Sequence, residues 1–416
     1  MRIVLSTMGS LGDVQPLLAL AQGLRKGGHH VVAALSPNYE EKTRDLEIEF
    51  APIGPPITFE QAKQAMSAQM KNPLPADQVR QYLGVVLPDI REIVDDLRSV
   101  CAGADAVIGA PFHFACRMVS ESLSIPYISL HLSQFGDLGG KEIARVSASL
   151  INPLRREYGL NPVDDPLGVD GNSDLLALYA VSRHLLRPPS RWPEHYKVVG
   201  FFFLDEKLWE PPDDLQDFCA KDGSLIGITF GSIVHEDPEA VTDLVVDAVQ
   251  QSGCRAVLQH GWSGLGKRAL PDCIYPTGYV PHSWLFPKVS AVVHHGSAGS
   301  ASSAFRAGVP SVVVPHTLDQ PIWAQLAKSV GCAKRIIPFG EMSSTRLAEA
   351  INETVASADV REAAKGFAEK INQEDGVTAA RCHIEESLSF LTKRGDTFGS
   401  PTPQRNAPSL ALPPTE

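Results

Sequence analysis

Short runs of uninterrupted apolar residues constrain this chain more than any other feature. RIVLS at Arg2–Ser6 passes through a glycine-containing loop into the helical pattern VQPLLALAQGLRKGG, and VVAAL at Val31–Leu35 follows. Gly27 and Gly28 supply the helix stop. A strand that is apolar on both faces has to be covered on both, so strand, helix and strand in that order predict a parallel sheet wound with helices. DAVIGA at Asp105–Ala110 and PYISLHL at Pro126–Leu132 continue the alternation. Residues 60–100 read as irregular amphipathic helices. Residues 136–174, rich in Gly, Asn, Asp and Pro, read as loops of the kind found at the mouth of a site.

The same grammar starts again after KVVGFFFLDEKLWEPPDDL at Lys197–Leu215, whose prolines and acids read as a connector. LIGITFGS at Leu225–Ser232 is a buried strand, Asp237-Pro238 caps and starts a helix, and AVLQH, AVVHH and SVVVPH are later strands. The expected fold class is therefore α/β, with two doubly wound, Rossmann-like domains facing a central cleft. The first takes residues 1–196, the connector 197–215 and the second 216–385. A helix over 386–397 is expected to pack back on the first domain, and 398–416 reads as a disordered tail.

Of the 416 residues, 44% are hydrophobic and 20% charged, enough to bury a sizeable core. A net charge of -11 argues against nucleic acid as a partner. Asp13 interrupts the apolar N-terminal stretch, and no segment reaches the roughly 18 uninterrupted apolar residues of a membrane span, so a cytoplasmic protein is expected. The 7 cysteines are scattered without a C-x-x-C pair, which fits reduced thiols.

AVVHHGSAGSASSAFRAGVP places two histidines where a strand ends and small residues where a helix begins. Such a turn leaves backbone N–H groups unpaired at the positive end of the helix dipole, a ready anion site. Gly296 and Gly299 let a bulky anion approach, Ser297 and Ser300 add hydroxyls around Ala298, and His294 can add an imidazole N–H. The plainer reading is a satisfied histidine pair beside a tight turn. The corresponding loop of the first half, TMGSLGDVQP, lacks the G-x-G-x-x-G fingerprint and carries Asp13 where a phosphate would lie. Asp13 can also be an ordinary helix cap, and a cap can still face a cleft.

These motifs carry a resemblance. MGSLGDVQPLLALAQGLRKGGHHV, WPEHYKVVGFFFLDE, ITFGS, HGWSGL, YVPHSWLFPKVSAVVHHGSAG and VVPHTLDQPIWA, in this order, resemble the family 1 sugar-nucleotide-dependent glycosyltransferases of GT-B fold. The likeness is to the sterol 3-beta-glucosyltransferase and antibiotic-tailoring branch. It implies that His294 and Gly296–Ser300 bind the donor diphosphate and that Ser232 reaches a phosphate or the sugar. It places Tyr279, Val280 and His282 at the base and ribose, and Asp319 and Gln320 on the sugar hydroxyls. Asp13 falls where the antibiotic-tailoring branch carries an aspartate, and an inverting mechanism needs one base there. Gly109 stands where histidine-dependent relatives keep an orienting aspartate; His113 and His131 are weaker acceptor-side candidates. Trp262 is as readily a core residue as a site residue.

The resemblance implies UDP-glucose as co-substrate, with a dTDP sugar as the other option, and a lipophilic acceptor such as a sterol, terpenoid, polyketide or flavonoid. No D-x-D occurs, so neither a metal nor a resident cofactor is expected. A sugar-nucleotide epimerase on the same fold, or a catalytically silent nucleotide-sugar binder, would share the donor site.

Overall fold

A computed structural model describes residues 1–64, 75–133, 140–190, 192–206 and 209–394. The expected tail at 398–416, and parts of the stretches 60–100 and 136–174, lie outside the described residues. The chain forms two compact units. Unit 1 runs from Met1 to Gln61, from Asn72 to Leu204, and again from Asp375; unit 2 holds Asp205–Glu374 and a short stretch from Ala62.

Unit 1 is built on seven strands: β1 (Arg2–Ser6), β2 (His30–Leu35), β3 (Glu49–Pro52), β4 (Ala106–Gly109), β5 (Tyr127–His131), β6 (Leu176–Tyr179) and β7 (Tyr196–Val198). They lie in the order β3-β2-β1-β4-β5-β6-β7, every neighbouring pair parallel. Alternate residues enter two cores. Ile3, Leu5, Ile108 and Leu178 pack on one face, and Val4, Val107 and Tyr127 on the other. Burial on both faces is why these strands read as unbroken apolar runs.

Helices Pro75–Val86 and Ile90–Val100 place Val79, Leu83, Ile90, Val94 and Leu97 in the second core at helical spacing. The region expected to be loop contains an 18-residue helix, Gly140–Glu157. Its Val146, Ile151 and Leu154 fall on one buried stripe, which outweighs the Gly, Asn and Pro content that pointed to a loop.

Unit 2 has six strands: β8 (Leu225–Thr229), β9 (Arg255–Gln259), β10 (Ile274–Thr277), β11 (Ala291–His294), β12 (Ser311–Val313) and β13 (Ala333–Ile336). Their order is β10-β9-β8-β11-β12-β13, again all parallel. In both sheets the direction of winding reverses beside the first strand, at β1/β4 and at β8/β11. Ligands of such sheets bind outside the carboxyl ends of the strands at that reversal. At those strand ends stand Asp13, in the first turn of the helix after β1, and His113 after β4 in unit 1, and Ser232 after β8 and His294, the last residue of β11, in unit 2.

The last helix, Gly376–Arg394, belongs to unit 1, and the boundary expected at 385 falls inside it. Ala380, Ile384 and Leu388 join the core of Ile3, Leu5, Leu17 and Leu24. The approach to helix Leu11–Lys26 is close enough that a Cβ on Gly23 would stand 2.2 Å from a Val377 methyl. No described helix is long and apolar enough to cross a membrane.

Candidate active site

In unit 2, β11 ends at His294, and Ser297 caps helix Ala298–Ala307 by accepting the Ser300 N–H at 3.3 Å. The Ser300 hydroxyl, 3.3 Å from that of Ser297, is drawn into the cap and is nearly buried. Gly296, at φ +86°, turns its N–H back onto His294 Nδ1 at 3.1 Å. The backbone donors that remain at the helix start are those of Ala298 and Gly299, which no helical carbonyl can reach.

The Gly296 contact settles the state of His294. Because Nδ1 accepts a proton, the neutral ring carries its own proton on Nε2. Burial pushes the His294 pKa down to about 3, so the ring is neutral at ordinary pH. Among the described residues Nε2 has no hydrogen-bond partner although it is buried. A buried N–H without an acceptor is costly, and in a turn that opens a helix an anionic oxygen would satisfy it.

The next residue, His295, lies under the loop that carries Ser232. A Cβ on Gly231, whose φ is +58°, would stand 2.7 Å from the His295 ring. The Gly231 carbonyl accepts the Trp262 N–H at 3.1 Å, which ties this loop to the one after β9. Gly231→Ala is therefore expected to destabilise the protein by about 2 kcal/mol and to displace Ser232. Urea unfolding of the variant checks the first effect.

Tyr279 is 47% exposed and its hydroxyl donates to Glu206. Val280 is buried, and its carbonyl is taken by Gln259 Nε2 at 2.7 Å. His282 stacks on Phe286 at 4.2 Å, and burial lowers its pKa to about 4. Trp262 is 37% exposed, so the core reading does not hold. Gln320 caps its own turn: Oε1 accepts the backbone N–H of His316 at 2.8 Å and of Thr317 at 3.2 Å. The Asp319 carboxylate accepts Trp323 Nε1–H at 2.8 Å. Just before them Leu318 sits at φ +54°, a strained setting for a branched side chain.

In unit 1 the helix after β1 starts with a reciprocal cap. Asp13 Oδ2 accepts the Ser10 N–H at 2.9 Å, and the Ser10 hydroxyl accepts from Gly12 at 3.3 Å. Burial raises the Asp13 pKa to about 6, against the opposing pull of the Ser10 bonds. Burial, and after it the Asp13 charge, raises the pKa values of Tyr39 and Tyr82, so both phenols lie within reach of that charge. Tyr39 donates to the Gly9 carbonyl at 2.7 Å, and Tyr82 meets Phe112 edge-on with centroids 5.9 Å apart. Sequence reasoning missed both tyrosines, which lie far from Asp13 along the chain and in no motif.

A side chain at Gly109 would meet Cys116 Sγ at 2.4 Å, so the orienting carboxylate that the resemblance associates with this position has no room here. His113 is 1% exposed. The Ser6 hydroxyl donates to the Ala34 carbonyl at 2.7 Å and therefore accepts His113 Nε2–H at 2.8 Å. His131 stacks on Tyr179 at 4.3 Å, beside Trp192. Both histidines sit inside unit 1, and neither reaches the Asp13 carboxylate by a hydrogen bond.

Residues 3–134 match the glycosyltransferase family 28 N-terminal domain, and residues 244–378 match the erythromycin biosynthesis protein CIII-like C-terminal domain. A sterol 3-beta-glucosyltransferase of Arabidopsis thaliana is 31% identical over 97% of this chain and 68% of its own length. The chain belongs to the sugar-nucleotide-dependent glycosyltransferases. A sterol 3-beta-glucosyltransferase of Komagataella phaffii is likewise 31% identical, over 92% of this chain; there the chain spans only 34% of the relative's length. Among solved structures, glycosyltransferase VinC in complex with dTDP has a TM-score of 0.72 at 19% identity, covering 94% of this chain and 100% of its own. The kitacinnamycin glycosyltransferase has a TM-score of 0.70 at 20% identity, covering 93% and 99%. These likenesses establish the GT-B fold for the glycosyltransferase described here.

Proposed function

We propose that this glycosyltransferase moves a hexose from a nucleoside diphosphate sugar, by preference UDP-glucose, to a hydroxyl of a lipophilic small molecule. The observation that carries this reading is the buried Nε2–H of neutral His294, without a partner among the described residues, in the turn that leads into the helix start at Ala298 and Gly299. That group needs an anionic oxygen, and a diphosphate supplies one. The donor family comes from the relatives, which are named for sterol glucosyl transfer. VinC was solved with dTDP, so a dTDP sugar is the competing donor.

The reaction is a single displacement. The acceptor oxygen attacks the anomeric carbon, the bond to the diphosphate breaks, and configuration inverts. Asp13 takes the acceptor proton, and a carboxyl held near pH 6 is ionised yet basic enough to do so. The departing diphosphate collects charge that His294 Nε2–H and the helix start neutralise as fixed dipoles, without a metal. Tyr39, Tyr82 and Phe112 give the Asp13 surroundings the aromatic, weakly polar character that a sterol or polyketide acceptor requires.

Calorimetry with UDP, dTDP, UDP-glucose and NAD in metal-chelated buffer tests the donor half. Binding of one pyrimidine diphosphate is expected, and binding of NAD alone or of nothing would overturn the reading. With the donor fixed, release of a free sugar epimer in the absence of acceptor would replace transfer by epimerisation.

A further inference from the structure

We propose that His235 is a positioning residue: an N–H···N bond to His316 fixes the turn carrying Asp319 and Gln320 against the loop carrying Ser232, and so sets donor sugar selectivity. This rests on the donor reading above. His235 and His316 leave different strands, β8 and β12, and lie 81 positions apart in sequence, yet their Nε2 atoms are 3.1 Å apart.

The proton positions follow from one carbonyl. His316 Nδ1 lies 2.8 Å from the Val314 carbonyl oxygen, an acceptor only, so Nδ1 carries the proton and Nε2 is a bare lone pair. His235 Nε2 therefore donates. Its own Nδ1 is left unprotonated and, among the described residues, buried without a partner. Both rings titrate below the usual histidine range because of burial, which keeps them neutral and the direction of the bond fixed.

The enclosure is aromatic. Phe339 stacks on His316 at 4.2 Å and lies 5.1 Å from His235; Phe230 meets both rings edge-on, at 5.2 and 5.8 Å. In this aromatic setting the two nitrogens satisfy each other, and parting them would leave a donor and an acceptor without that match. The His316 backbone is held as well, its N–H bound to Gln320 Oε1 at 2.8 Å, while Phe339 N–H binds the Pro315 carbonyl at 3.0 Å. Ring and backbone together thus fix the strained turn through Leu318. His235, three residues after Ser232, supplies the hydrogen bond that sets this turn against the other loop, with the Phe230 ring beside it.

The test uses the full chain with 15N-labelled histidines and no ligand first. Long-range proton–nitrogen spectra, assigned with His235→Leu and His316→Phe, should show protonated Nε2 on His235 and protonated Nδ1 on His316. The reverse tautomer at either ring would overturn the bond. UDP and UDP-glucose are then titrated into wild type, His235→Leu and His235→Gln. His235→Leu should leave UDP affinity within about twofold and weaken UDP-glucose by about tenfold. His235→Gln, which keeps a donor N–H, should restore most of the loss. Equal weakening of both ligands, no weakening of UDP-glucose, or glutamine behaving like leucine would each overturn the proposal. Wild type that binds neither nucleotide would instead defeat the donor reading and the sugar role with it, while the tautomers would still report on the bond.

Discussion

Asp13→Asn is expected to lower transfer by about 10²–10⁴-fold, the usual worth of a positioned base, while donor affinity stays within about twofold. Asparagine keeps the shape and can still accept the Ser10 N–H through its amide oxygen, so the helix cap survives. The same substitution should stabilise the protein at neutral pH. The folded Asp13 holds its proton up to about pH 6, against an ordinary value of 3.8. Between those pH values the folded state binds more proton than the unfolded one, so ionisation costs stability as pH rises, and above about 6 that cost is complete. Asparagine escapes it, for a gain of about 1–3 kcal/mol in this partly buried setting. Wild-type kcat/KM should fall on the acid side below about pH 6 as the base is protonated. Denaturant melts at pH 7.5 and a product assay across pH 5–8 measure both effects. Undiminished turnover in the variant, or a profile flat through pH 6, would remove Asp13 from the mechanism.

His294→Ala should weaken UDP binding by about 10- to 100-fold and lower kcat by about 10²-fold, since one donor serves the ground-state diphosphate and the charge that grows on it. The variant also frees the Gly296 N–H from its intramolecular acceptor. That amide is a weaker substitute because it already points inward. Calorimetry gives the affinity, and product formation at saturating donor gives kcat. If affinity fell with kcat unchanged, His294 would be a binding contact only.

The strands and their winding were legible because a strand covered on both faces needs apolar residues at nearly every position, as in Leu225–Thr229 and Ala291–His294. The HHG turn was legible for a related reason: small residues directly after such a strand mark a backbone left bare. Gln320 shows the limit of this kind of reading. The resemblance implies a polar side chain on the sugar hydroxyls, but Oε1 is committed to two backbone amides, which only the folded turn reveals. The helix Gly140–Glu157 was hidden because its breakers, Pro153 among them, lie along the same stretch as its apolar stripe. Tyr39, Tyr82 and the His235–His316 bond were out of reach altogether. Each depends on segments far apart in the chain that the fold brings together, which no local spacing encodes.

The return of the last helix to unit 1 has a consequence for how the chain comes off the ribosome. Asp205–Glu374 is complete as soon as it is synthesised, whereas the core around Ile3 and Leu5 still waits for Ala380, Ile384 and Leu388. Until Gly376–Arg394 emerges, the nascent first unit carries an uncovered apolar strip along helix Leu11–Lys26. The N-terminal half is made first but finished last. A chain cut after Glu374 would leave one self-sufficient piece and one sticky one.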